Sequence, residues 1–273
     1  MMVEVLVHFV APALVGVLIG IASGLLGIGG GTVMVPIFRL AFGMSATVST
    51  ATSLFAIIPT SISGAISHVK GKTCIPALGI AAGLGGACLS PVGVWLAQLS
   101  PDWLVMLAAA IIIGYSAINM FKKAFKVSRA GQPATGVDAS ASSDDSPLSR
   151  KQLLQGAAIG LVAGLASGYV GVGGGFIMVP LMLSIIGIPM RKASGTSLIA
   201  VMILAIPGVI EQGIIGNINY LAGIAIVIGT IPGAVIGARL VTKVPERTLR
   251  LLFGCFLIVA AVMLVLNEVG IFG

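Results

Sequence analysis

Two short glycine runs are the residues in this chain best suited to chemistry. They read Gly27-x-Gly29-Gly30-Gly31 and Gly171-x-Gly173-Gly174-Gly175. Glycine lacks a Cβ, accepts unusual dihedrals and weakens helix interiors, so each run is expected to break a helix. A half-helix that restarts after a break points its unpaired N–H groups and the positive end of its dipole at the gap. That arrangement holds an anion without a fixed charge. Ser23 and Ser167 stand four residues before the runs, one helical turn away. Thr52-Ser53 and Thr196-Ser197 open the next long apolar segments. Such hydroxyls either donate to an oxyanion or bond the carbonyl four residues back. The competing reading of the glycines is close helix packing through small residues, which suits Gly20-x-x-x-Gly24 and Gly164-x-x-x-Gly168 well.

These residues belong to a repeat. Residues 20–36 read GIASGLLGIGGGTVMVP and residues 164–180 read GLASGYVGVGGGFIMVP, an offset of 144 with 11 of 17 positions identical. The same offset carries Thr52-Ser53-Leu54 onto Thr196-Ser197-Leu198. Transporters built from two related halves place substrate where the halves meet, at broken segments.

Composition sets the medium. Mean hydropathy is +1.15 and charged residues are 8% of the chain, against roughly 25% in a soluble domain. Long unbroken apolar runs select helices in a bilayer over a barrel. The expected fold is an all-α polytopic membrane protein of two homologous repeats, read as inverted. It has about eight full transmembrane helices plus two short Gly-broken segments. Residues 1–126 form the first repeat, 127–149 a flexible cytoplasmic linker rich in Ser, Ala, Gly, Asp and Pro, and 150–273 the second repeat. The start of the chain lacks a basic stretch and reads as a retained helix, not a cleaved signal.

The short runs are 32–42 and 176–188. At about 1.5 Å per residue they reach about 16 and 20 Å, less than a hydrocarbon core of about 30 Å. They are tilted crossings or re-entrant halves. Counting them as crossings puts 13 of the 15 basic residues on the linker side. Failure to cross would move Arg191, Lys192, Lys243, Arg247 and Arg250 outside, which the positive-inside rule disfavours. Both termini then lie outside, and Lys122–Lys126 act as an orientation signal in contact with anionic lipid.

The paired G-[IL]-A-S-G-x-x-G-[IV]-G-G-G-x-x-M-V-P segments, each followed by T-S-L, resemble the TauE/SafE family, the sulfite-exporter or sulfonate-permease group. The resemblance spans about 9–121 and 153–267. It implies a permease of the prokaryotic cytoplasmic membrane for a small anion, such as sulfite, sulfoacetate or another organosulfonate. Family motif positions fall here on Ser23, Gly27, Gly29, Gly30, Gly31 and Pro36, and on Ser167, Gly171, Gly173, Gly174, Gly175 and Pro180.

Ionisable residues within membrane segments are functional candidates by default. Arg39, in the first short run, either attracts an anion or snorkels to the interface. His68 and Glu211, near segment ends, either carry a coupling proton or sit at the surface. His68 aligns with Gln212. Cys74, Cys88 and Cys255 show no metal-like spacing and read as apolar filler. Neither a metal nor a cofactor is implied, and the basic residues are explained by topology and not by nucleic acid. A membrane enzyme would need convergent acids, bases or metal ligands, and a cation carrier a carboxylate at mid-membrane. The expected function is therefore a secondary transporter of a small anion by alternating access. The alternatives are an anion channel or a carrier of another small organic anion.

Overall fold

The computed structural model describes residues 11–129 and 149–268, and all of their regular structure is helical. In chain order the helices are α1 (Ala11–Leu26), α2 (Gly31–Phe42), α3 (Ala46–Lys70), α4 (Pro76–Leu99) and α5 (Asp102–Arg129). After the linker come α6 (Arg150–Val170), α7 (Gly175–Leu181, running into a π turn at Met182–Ile186), α8 (Met190–Ile215), α9 (Tyr220–Leu240) and α10 (Glu246–Glu268). The helices α3, α4, α5, α6, α8, α9 and α10, seven in all, are long and apolar enough to cross a bilayer. The eighth expected span is α1, of which 16 residues are described. Of the expected linker, residues 130–148 lie outside the described residues, and α5 runs to Arg129, past the boundary at 126.

Local chemistry sets the helix ends. Ser45 accepts from the Val48 N–H at the start of α3. Asn219 accepts from the Ala222 N–H at the start of α9. Ser149 and Gln152 form a capping box on α6. Each cap satisfies N–H groups that have no partner within the helix. Two carboxylates do the same from a distance: Asp102 Oδ2 accepts from the Ala46 N–H at 3.3 Å, and Glu246 Oε1 from the Met190 N–H at 3.2 Å. These residue pairs are separated by the 144-residue offset.

The helices pack through small residues. A Cβ on Gly20 would lie 2.4 Å from the Thr230 carbonyl oxygen, and one on Gly24 2.2 Å from that of Ala234. On the other side, a Cβ on Gly164 would lie 2.1 Å from the Gly86 oxygen, and one on Gly168 2.1 Å from that of Ser90. No side chain fits at such distances, so the G-x-x-x-G pairs are packing surfaces, α1 on α9 and α6 on α4. These contacts too repeat at the offset of 144.

Contact order gives direction. Along α1 and α9 the partners rise together, and so do those of α3 with α9, α4 with α6 and α4 with α8. Between α3 and α8 they run in opposition, Leu54 against Gly208 and Gly64 against Leu198. So α1, α3 and α9 point one way, and α4, α6 and α8 the other.

Charge segregates by end. Arg191 Nη2 donates to the Val244 carbonyl oxygen, and the Ile75 N–H to Thr196 Oγ1, which gathers the loops at 71–75, 187–189 and 241–245. That end carries Lys70, Lys72, Arg191, Lys192, Lys243 and Arg247. At the opposite end Tyr169 bonds Ser100, and the Asn219 N–H bonds Thr52. The described loops there, 43–45, 100–101 and 216–219, carry no Lys or Arg. Trp95, Trp103 and Tyr220 stand half exposed toward that end, where amphipathic rings anchor a protein at the bilayer boundary. Leu14, Leu18, Leu84, Ile111 and Ile228 are exposed between the ends, as a lipid-facing surface requires. The protein is a multi-pass membrane protein.

Candidate functional site

The glycine runs break the helices as expected. α1 stops at Leu26 and α2 begins at Gly31, and Gly27, Gly29 and Gly30 have φ of 76°, 80° and 86°. α6 stops at Val170 and α7 begins at Gly175, and Gly171, Gly173 and Gly174 have φ of 73°, 88° and 68°. This is the left-handed region, where any side chain adds strain. The caps Gly30 and Gly174 give no side-chain hydrogen bond to the helices that follow.

The two breaks touch. A Cβ on Gly31 would lie 2.6 Å from the Val172 carbonyl oxygen, and one on Gly175 2.5 Å from that of Gly27. Both sit against the midpoints of α3 and α8, at Ile57 and Val201. The starts of α2 and α7 therefore meet deep inside the protein. They are unequal, since α7 has seven regular residues before its π turn and α2 has 12.

Among the described residues, seven buried hydroxyls have no hydrogen-bond partner: Ser23, Thr32, Ser49, Ser53, Ser61, Ser90 and Ser167. An unmade bond at a buried polar atom costs about 1–3 kcal/mol, so native proteins seldom leave one unmade without a reason. Ser23 lies against Gly30, and Ser61 Oγ would be 3.4 Å from a Cβ on Gly29. Thr32 is in the first turn of α2. Ser23, Thr32 and Ser61 thus gather at the first break. All the buried polar residues among the described ones are Ser, Thr, His68 or Gln212. No Lys, Arg, Asp or Glu is among them.

The other sequence candidates separate into ties and free groups. Thr52 and Thr196 accept from the Asn219 and Ile75 N–H groups, at 3.0 and 2.9 Å, and so hold the loops that begin α9 and α4. Ser197 donates to the Gly27 carbonyl oxygen at 2.6 Å and fixes the first break. Its counterpart Ser53 is one of the unpartnered hydroxyls.

His68 is not at the surface. It is fully buried, with Nε2 2.8 Å from the Gly24 carbonyl oxygen and Nδ1 2.7 Å from Thr73 Oγ1. A carbonyl only accepts, so Nε2 carries a proton. The carbonyl near the end of the broken helix needs a donor, and the imidazole supplies it. At the offset of 144, Asn217 Nδ2 donates to Gln212 Oε1 at 2.8 Å, matching the His68–Thr73 bond. Glu211 is half-buried, with Oε2 enclosed and without a partner among the described residues. Arg39 is half-buried in the last turn of α2, away from the breaks.

Sequence reasoning missed Thr32, Ser49, Ser61 and Ser90. A signal existed in α3: Ser49, Ser53 and Thr60 share one face of an otherwise apolar helix, with Ser61 beside them. Thr60 is bonded to Thr230 at 2.6 Å. Among the described residues no three His, Cys, Asp or Glu converge as metal ligands would.

The family model described as "Sulfite exporter TauE/SafE" matches residues 12–264. The chain belongs to the TauE/SafE family. Its relatives in that group carry transporter names. The Bacillus subtilis protein named "Probable membrane transporter protein YunE" is 27% identical, over 97% of this chain and 99% of its own. A second B. subtilis relative, "Probable membrane transporter protein YdhB", is 28% identical over 87% and 92%. A Haemophilus influenzae "Probable membrane transporter protein" is 29% identical over 93% and 97%. No solved structure matches the chain. As a TauE/SafE member, it is a membrane transporter.

Proposed function

We propose that this transporter is a secondary carrier of a small oxyanion, sulfite or an organosulfonate such as sulfoacetate, across the prokaryotic cytoplasmic membrane. The observation that carries the reading is the meeting of two helix breaks with the unpartnered hydroxyls of Ser23, Thr32 and Ser61 gathered at the first, and, among the described residues, no buried cation or carboxylate. A dehydrated oxyanion has acceptors in every direction and needs donors. Hydroxyls and the first N–H groups of α2 supply them without a counter-charge that would hold the anion too tightly for release. The family description supports a sulfur oxyanion.

The halves 1–126 and 150–273 act as inverted repeats that rock about the crossing. The opposed helix directions and the contacts repeated at 144 residues support this. The basic end lies in the cytoplasm by the positive-inside rule, with the linker, and α1 begins outside. Among the binding candidates, Ser23, Ser53 and Ser167 donate to the anion, and their buried hydroxyls, without a partner among the described residues, support this. Gly27, Gly29, Gly30 and Gly31 with Gly171, Gly173, Gly174 and Gly175 shape the gap. Thr52, Thr196 and Ser197 hold the surrounding backbone. Glu211, with its enclosed free oxygen, is the candidate for a coupling proton. Arg39 serves as an attractor near the end of α2.

The test is counterflow of radiolabelled sulfite in proteoliposomes, with unlabelled sulfite, sulfoacetate, thiosulfate, taurine or acetate trapped in turn. Label accumulation establishes a carrier and ranks its cargo. Flux of label without counterflow or saturation assigns a channel instead. The double variant Ser23→Ala, Ser167→Ala is expected to weaken transport while the protein stays folded, and normal flux would remove the hydroxyls from the site.

A further inference from the structure

The basic end of the helix pair α3–α9 opens into a groove of about 580 Å³. One wall is apolar, built from Ile66, Val235 and Ala238. Ile66 is half exposed, and Ile62, Ile231 and Ile236 around it are exposed as well, so the groove faces lipid. Lys70 and Arg239 stand at the helix ends of the same groove, with Thr242 beyond them. Neither cation forms an ion pair with a described residue. The hydroxyls nearby are committed to backbone: Ser63 donates to Ile231, Ser67 to Ser63 and Thr242 to Arg239. What remains open is positive charge above an apolar slot.

The groove is not part of the repeated architecture. At the offset of 144, Ile214 replaces Lys70, Trp95 replaces Arg239 and Glu211 replaces Ser67. The corresponding place at the opposite end therefore has no cation. A soluble anion would gain nothing from the apolar wall.

We propose that this groove binds the phosphate of an anionic phospholipid, with Lys70 and Arg239 on the headgroup and an acyl chain along Ile66, Val235 and Ala238. Basic pockets between membrane helices recognise such headgroups through charge at the boundary, where water is partly excluded. The lipid bridges α3 and α9 at one end only.

Native mass spectrometry of the purified protein with phosphatidylglycerol and with phosphatidylcholine tests this. The wild type is expected to retain phosphatidylglycerol preferentially. The variant Lys70→Gln, Arg239→Gln is expected to lose that preference by about tenfold or more, as removal of two surface charges requires. The charge-preserving pair Lys70→Arg, Arg239→Lys is expected to keep it. If the double glutamine variant is not recovered folded, the single variants read the same loss in smaller steps. Equal retention by wild type and glutamine variants overturns the proposal. So does an equal loss from Lys122→Gln, which would mean general surface charge. Displacement of the lipid by millimolar inorganic phosphate would assign the groove to a soluble anion and overturn it too.

Discussion

Ile57 and Val201 stand 144 residues apart and press on the same two glycines. A Cβ on Gly29 would lie 3.3 Å from Ile57 Cγ2 and 2.9 Å from Val201 Cγ1. One on Gly173 would lie 2.8 Å from Ile57 Cδ1 and 3.5 Å from Val201 Cγ1. Both side chains are fully buried. They fill the point where the two breaks meet. Ile57→Ala is expected to cost about 2–5 kcal/mol in unfolding and Ile57→Val about 0.5–1.5. Passive sulfite leak in proteoliposomes should rise in Ile57→Ala and stay at the wild-type level in Ile57→Val. An unchanged leak in Ile57→Ala would show that the seal lies elsewhere.

Glycines at the crossing differ from glycines in open space. Gly31→Ala places a Cβ against the Val172 backbone, and Gly175→Ala against that of Gly27. Each must push the breaks apart, and transport should fall at least tenfold, a barrier change of about 1.4 kcal/mol. Gly114→Ala, with nothing within 4 Å and helical backbone, should leave transport unchanged.

Free and bonded hydroxyls predict different losses. Ser61→Ala removes a donor with no partner among the described residues, so half-saturation should rise roughly tenfold or more while the melting temperature holds. Ser197→Ala breaks the bond to Gly27 and leaves that oxygen unpaired. There the melting temperature should drop, by an amount equivalent to about 1–3 kcal/mol. The reverse pattern would exchange the roles assigned to the two residues.

Two titratable residues separate by their surroundings. His68→Gln should keep folded, active protein with an unaltered pH profile, since Gln212 makes the corresponding tie in the other half. Glu211→Gln should preserve counterflow exchange yet abolish the response of uptake to an imposed pH gradient. A flattened profile in His68→Gln would make His68 the proton carrier instead.

Cys74 offers a reading of orientation. Burial pushes its thiol up, so the reactive thiolate is scarcer at neutral pH than in a free cysteine. An impermeant maleimide should label it from the cytoplasmic face alone, slowly at pH 7, and faster as pH rises through the ordinary thiol range. Cys88 and Cys255 are exposed along α4 and α10, on the lipid side, and should stay unlabelled. Labelling from outside would invert the proposed topology.

The breaks, the helix count and the end that gathers charge were legible because each rests on local chemistry: glycine runs, apolar length, basic loops. The partners of the hydroxyls were not. Thr52 and Ser53 are neighbours in sequence, yet one accepts from the start of α9 and the other has no partner among the described residues. That distinction depends on what α8 and α9 bring across, which no spacing within α3 records. The surface alternative for His68 fails for a related reason. Its position near a helix end suggested exposure, but α1 stops beside it and needs a donor. Ser61 and Thr32 escaped because their counterparts at the 144-residue offset are Ala205 and Phe176, so a search guided by repetition passed over them.

Six of the seven unpartnered hydroxyls precede the linker, and only Ser167 follows it. The frame is doubled but its lining is not. In the proposed carrier, such a lining would favour one of the two orientations before any cargo arrives. Half-saturation measured from the two faces of the membrane would then differ, although no gradient is created by that difference alone. Under that proposal, a lopsided lining in an even frame sets the idle posture of the carrier, and the gradient decides only which way it turns.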